Sequence, residues 1–186
     1  SSAASDVYKR QLDGVVALEL LDQFNDVYEL NDTARRYLVS DGPATMAELI
    51  AVATGPHDNW TRLAETVRSG CPSTPIENDP AAFYVPLVEG TFTTMFRCAT
   101  RADLKIRYSA RSAPLVLDLG AGGAPWSIAI LKACPEGRAV INDLDGVLPV
   151  AQAKTSEHDV ADRCEFRPGD FHTVALEVDH FDIVVL

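Results

Sequence analysis

The chain has 186 residues, enough to bury a real core in one or two domains, and an ordinary globular composition with 47% apolar and 23% charged residues. Its 27 acidic and 16 basic residues give a net charge of −11, which argues against a surface that grips phosphate backbones or anionic membranes. No run approaches the roughly 20 apolar residues of a membrane span. Cys71, Cys98, Cys134 and Cys164 are scattered without a CxxC or zinc-like grouping, so they read as reduced packing residues of a cytosolic protein.

Residues 1–11, SSAASDVYKRQ, are polar and lack an apolar period, and are expected to be a non-native or disordered lead. Leu12, Val15, Val16, Leu20 and Leu21 then recur at helical spacing, predicting an amphipathic helix over 12–21. QFNDVYEL suits a small hairpin with Asn25-Asp26 at its turn. Asn31 or Asp32 can cap a helix in TARRYLVS. Helix, hairpin, helix is the second half of a winged-helix unit. Two further helices are expected over 44–53 and about 59–68, the second with Trp60, Leu63 and Val67 on one face. Ser69, Gly70, Pro72 and Pro75 mark a linker.

Residues 81–109 read as a helical connector, after which strand and helix alternate. Strands are expected at 115–119, 139–142, 163–167 and 181–186, with helices at 126–133 and 147–155. Helices of this length between strands imply parallel pairing with right-handed crossovers. The organisation expected is a lead (1–11), a partial winged-helix-like domain (12–75), a helical linker (76–110) and an α/β domain (111–186). Because FDIVVL is a buried-strand pattern with no turn or polar tail after it, the chain is expected to be a fragment.

The chemistry concentrates where the first of these strands empties into a glycine turn, PLVLDLGAGGAPWS. In an open parallel sheet, ligands bind beyond the carboxyl ends of the strands. A dinucleotide fingerprint would place its third glycine where Pro125 stands, and no Gly-Lys-Ser/Thr follows to make a P-loop. Asp118, two residues before Gly120, would repel a phosphate but suits an ammonium group. Asp143, about twenty residues on, stands where a carboxylate accepts from ribose hydroxyls. The ligand expected is a nucleoside with a cationic tail and no phosphates, a description that S-adenosylmethionine fits.

These residues resemble the motif set of the S-adenosylmethionine-dependent small-molecule O-methyltransferases. VLDLGAGGA is similar to their first motif, INDLDGVLPVA to their second, RPGDF to their third and FDIVVL to their fourth strand. The resemblance implies a Rossmann-like methyltransferase sheet of about four parallel strands behind a mostly helical, partial winged-helix-like dimerisation domain. It implies that Asp118 lies near the methionine amino group and that Gly120 and Gly122 let the backbone pass close to the methionine and ribose. Asp143 would hold the ribose hydroxyls and Leu144 would pack on adenine. Gly169 and Asp170 belong to the turn in which Asp170 accepts from the adenine amino group and Phe171 covers the ring. Ala124 replaces a motif glycine, and Asp145 stands where many relatives have proline.

No catalytic residue is assigned, because the family's histidine base lies beyond the fourth strand, and the isolated chain is expected not to turn over. His57, His158, His172 and His180 read as ordinary surface or packing residues, and Trp60, Trp126 and the Phe83/Tyr84 pair as packing. No carboxylate cluster calls for a metal. The partners expected are a small-molecule acceptor, no nucleic acid and no membrane, with the intact parent a homodimer. The alternatives are a nicotinamide-dependent oxidoreductase and a winged-helix ligand-responsive regulator. Against the regulator, residues 12–70 carry 10 acidic and 4 basic side chains, a net −6 that would repel DNA.

Overall fold

A computed structural model of the chain describes residues 2–42, 44–54, 61–72, 76–176 and 180–186. Backbone contacts divide the chain into two compact units, residues 1–48 and 49–186.

The first unit opens with α1 (Ser2–Ala17), followed by β1 (Leu21–Phe24), β2 (Val27–Leu30) and α2 (Asp32–Tyr37). The helix therefore begins at Ser2, inside the segment expected to be a disordered lead, and ends before Leu20 and Leu21. Leu21 opens a strand instead. The helix is tied to the hairpin by polar contacts: Lys9 Nζ, in that segment, pairs with Asp26 at 2.9 Å, and just beyond it Asp13 Oδ1 accepts from Tyr28 at 2.5 Å. The hairpin is antiparallel, with Phe24 opposite Val27. Asn25 and Asp26 take φ of 49° and 66°, the left-handed pair of a tight hairpin turn. Asn31 caps α2 by accepting from the Ala34 N–H at 2.9 Å.

α3 (Ala47–Thr54) crosses the division between the units. In the second unit, α4 (Leu63–Ser69) exposes Leu63 and Val67, so the apolar face expected there is not buried. Trp60, His57 and Pro75 lie outside the described residues. The connector is α5 (Pro80–Ile106), a 27-residue helix with Pro80 at its start and the Asp79 side chain capping the Ala82 N–H at 3.1 Å. It belongs to the body of the second unit: Phe92 is buried in the same apolar cluster as Val116, Ile128 and Ile141. Phe96 stacks on Phe92 at 5.9 Å, and Lys154 lies over the Phe92 ring at 5.1 Å.

The sheet follows: β3 (Leu115–Leu119), α6 (Pro125–Ala133), β4 (Arg138–Asp143), α7 (Leu148–Glu157), β5 (Cys164–Pro168) and β6 (Ile183–Val185). The strand order is β5-β4-β3-β6 and every pairing is parallel. Val116, Ile141 and Ile128 are fully buried, as expected of strands and a helix covered on both faces. Arg163 ties off α6, its Nη1 donating at 3.0 Å to the carbonyls of Leu131, Cys134 and Pro135. All four cysteines are free thiols. No helix among the described residues is long and apolar enough to cross a membrane.

Candidate functional site

The site is built at the carboxyl ends of β3, β4 and β5, where three short links join three strand ends. From the turn after β3, the Ala121 N–H donates to the Asn142 carbonyl at 3.1 Å. The next amide, Gly122 N–H, donates to Asp143 Oδ2 at 2.6 Å, while Leu144 N–H reaches Oδ1 at 2.7 Å. From the end of β5, Gly169 N–H donates to the Asp143 carbonyl at 2.9 Å. Both oxygens of Asp143 are thus oriented by backbone donors. Each keeps a further lone pair for a ligand hydroxyl.

These links frame a cleft of about 360 Å³ lined by Gly120, Gly122, Asp143, Leu144, Gly169, Asp170 and Phe171. Seven of the eight residues singled out in the sequence therefore meet on one cavity. The Asp170 carboxylate is oriented locally, its Oδ1 accepting from the His172 N–H at 2.8 Å. Phe171 is 37% exposed, with the His172 ring 4.3 Å from its own.

The eighth residue, Asp118, lies in an adjoining compartment of about 230 Å³ that shares Val88, Gly120 and Gly122 with the first. It is 2% exposed and accepts a hydrogen bond from Ser127 Oγ at 2.7 Å. Desolvation pushes its carboxyl up to about 6; the Ser127 hydrogen bonds oppose that rise and the nearby Asp143 charge adds to it. A cation placed in this compartment would relieve the cost of the buried charge. Among the described residues, no lysine or arginine lines either compartment.

The glycine turn serves a partner that its local sequence does not reveal. A Cβ on Gly122 would sit 3.0 Å from Val88 Cγ2, and one on Gly123 would sit 2.8 Å from Phe92 Cδ2. Gly122 (φ +58°) is thus needed for the close approach of α5 as well as for its conformation. A Cβ on Gly120 would meet nothing within 4 Å, which leaves its backbone open to the cleft.

Several lining residues were not singled out as site residues in the sequence. Tyr84 and Val88 reach the first compartment from α5, and Trp126 lines the second. Their signal is long-range packing, which no local pattern carries. Asn142, also on the first compartment, reads in the sequence only as the polar end of a strand. Of the histidines, His172 lines the cleft, His180 is exposed against Phe181, and His158 packs against both Phe92 and Phe96.

A parallel sheet carrying an acid-lined cleft at its strand ends defines a Rossmann-like α/β domain. No protein-family model matches the chain. It is 26% identical over 167 residues to acetylserotonin O-methyltransferase from Bos taurus, which covers 81% of this chain and 46% of that protein. It is 41% identical over 56 residues to the phenazine O-methyltransferase PhzM of Lysobacter antibioticus, covering 30% of this chain and 16% of that one. Among solved structures, human N-acetylserotonin methyltransferase in complex with SAM aligns with a TM-score of 0.68 and 19% identity, over 95% of this chain and 54% of that chain. The matched stretches span less than half of either curated relative. Both curated relatives are O-methyltransferases and the structural neighbours share the fold, so the resemblance read from the sequence motifs is borne out.

Proposed function

We propose that the chain carries the cofactor-binding part of an S-adenosylmethionine-dependent O-methyltransferase that methylates a hydroxyl of a small aromatic or polyketide-like metabolite. The observation that carries the reading is the placement of acids: Asp143 and Asp170 on one cleft, Asp118 buried under the next, with no lysine or arginine among the described residues lining either. Ribose hydroxyls and an adenine amino group are donors that match Asp143 and Asp170. An ammonium group matches Asp118. A dinucleotide would bring a pyrophosphate into the same space without a positive partner, which disfavours the oxidoreductase reading.

When bound, S-adenosylmethionine supplies an electrophilic methyl group on a sulfonium. The chain's own part is to hold and orient: Asp143 fixes the ribose through two backbone-oriented oxygens, and Leu144 and Phe171 exclude water from the adenine faces. Asp118 stabilises the cationic end. Alignment of two bound reactants accounts for much of the acceleration of such a displacement. An acceptor hydroxyl also needs a positioned base, which these residues do not supply. The acceptor class is supported by the relatives' names, acetylserotonin and phenazine. The 1–48 unit is read as part of a winged-helix-like domain through which the whole protein forms a homodimer.

The test is calorimetric titration of the chain with S-adenosylhomocysteine and, separately, with NADH. Saturable binding of the first and none of the second is the expected outcome; the reverse overturns the reading.

A further inference from the structure

Asn142 is fully buried at the end of β4 and lines the cleft. Its amide nitrogen donates twice across to β5, to the Arg167 carbonyl at 2.8 Å and the Gly169 carbonyl at 2.9 Å. Its Oδ1 is the one buried side-chain polar atom among the described residues without a hydrogen-bond partner. An unpaired buried carbonyl is costly, and the apolar residues that fill Val140 and Ile141 just before it would avoid that cost. What an apolar residue cannot do is donate to two carbonyls of the neighbouring strand end. Those carbonyls flank the point where the chain leaves β5: Gly169 has φ +123° and is followed directly by Asp170 and Phe171. The Gly169 N–H is held in the same place by the Asp143 carbonyl, so three hydrogen bonds fix this one turn to β4.

We infer that Asn142 is a positioning residue for base recognition: its amide locks the Gly169 turn so that the Asp170 carboxylate stands at a fixed distance from Asp143. One acid reads the ribose and the other the exocyclic amino group of the base, both from the lining of one cleft. This rests on the nucleoside reading of the cleft given above. Asn142 need not touch the ligand. It acts through Asp170, whose own orientation comes from the His172 N–H.

The experiment measures the affinities of S-adenosylhomocysteine and S-inosylhomocysteine, in which a carbonyl replaces the purine amino group, by calorimetry on the full chain. The unmodified chain should prefer the adenine compound by about tenfold or more, the range of a charge-assisted hydrogen bond. Asn142→Leu should cut that preference below about threefold. Combining it with Asp170→Ala should remove no further preference than Asp170→Ala alone. Should Asn142→Leu fail to fold, Asn142→Ser, which keeps one donor, is read in its place and should fall between. An Asn142 variant that weakens both ligands equally, with the preference intact, has lost only structure and overturns the inference. An unmodified chain that binds both compounds equally overturns the inference alone; one that binds neither overturns the cofactor reading along with it.

Discussion

The Gly122 N–H donates to Asp143 Oδ2 at 2.6 Å, so the loop after the first sheet strand orients the acid at the end of the second. With the Leu144 N–H on Oδ1, the carboxylate is locked between two backbone donors from separate segments. A side chain held in this way presents its remaining lone pairs in a fixed direction without losing rotamer freedom when a ligand binds.

The first prediction follows from that lock. Asp143→Asn keeps the size but turns one acceptor into a donor, which must face either Gly122 N–H or Leu144 N–H. The loss should be about 2–3 kcal/mol in the affinity for S-adenosylhomocysteine, on the scale of a charged hydrogen bond plus a mismatched donor. Calorimetric titration checks it, and an unchanged dissociation constant would remove Asp143 from the ribose role.

Asp118 yields a pH prediction. Below its ordinary pKa of 3.8 the carboxyl is protonated in both the folded and the unfolded chain. Between 3.8 and about 6 only the unfolded chain releases the proton, so folding stability falls as pH rises through this window and levels off above it. The shift corresponds to about 3 kcal/mol. Asp118→Asn, which can still accept from Ser127, should raise Tm at pH 7.5 and flatten the profile between pH 4 and 6. The same variant should weaken S-adenosylmethionine binding, and binding to the unmodified chain should tighten as pH rises through about 6. Thermal scans across pH on both proteins test this; parallel profiles would show that Asp118 is not the group responsible.

The contrast between what the sequence reveals and what it hides has a physical basis. β3 starts and stops where expected, Leu115–Leu119, and the other strands fall within a residue or two. The two central strands, β3 and β4, are covered on both faces, so each reads as an apolar run closed by a turn or a charge. An acid at the end of such a run stands out, which made Asp118 and Asp143 legible. Asn142 precedes Asp143 directly, and the signal that separates its role from that of a strand terminator is its bonds to Arg167 and Gly169, some 25 residues away. Val88 and Tyr84 come from a helix some 35 residues before the glycine turn, where periodicity marks a face but not its partner. The start of α1 at Ser2 was hidden for the opposite reason: its polar residues pair with the hairpin, and no apolar period announces them.

The fit of α5 on the glycine turn predicts a steric effect with a specific rescue. In Gly123→Ala the new methyl would lie 2.8 Å from Phe92 Cδ2, and Phe92 is held by Phe96 and Lys154. Overpacking of this kind costs about 1–3 kcal/mol. Adding Phe92→Leu should recover part of the loss, giving a coupling energy that chemical denaturation of the two single variants and the double variant can measure. Strict additivity would show that α5 does not press on the turn at this point.

Arg163 separates stability from binding. Its guanidinium gathers the carbonyls of Leu131, Cys134 and Pro135 at the end of α6, groups that the helix itself leaves unpaired. It also places a positive charge at the negative end of the helix dipole. The side chain is half-buried, so water can replace it only in part. Arg163→Ala should therefore destabilise the second unit by about 2–3 kcal/mol, more than an exposed ion pair would. Arg163→Lys should recover only part of this, since the Lys nitrogen sits on a shorter, more flexible stem than the Nη1 that now gathers these carbonyls. Affinity for S-adenosylhomocysteine should stay within about twofold of the unmodified chain at temperatures where the variant is folded, because the helix's far end faces the cleft. A loss of affinity in proportion to the loss of stability would mean instead that α6 transmits its fraying to the glycine turn.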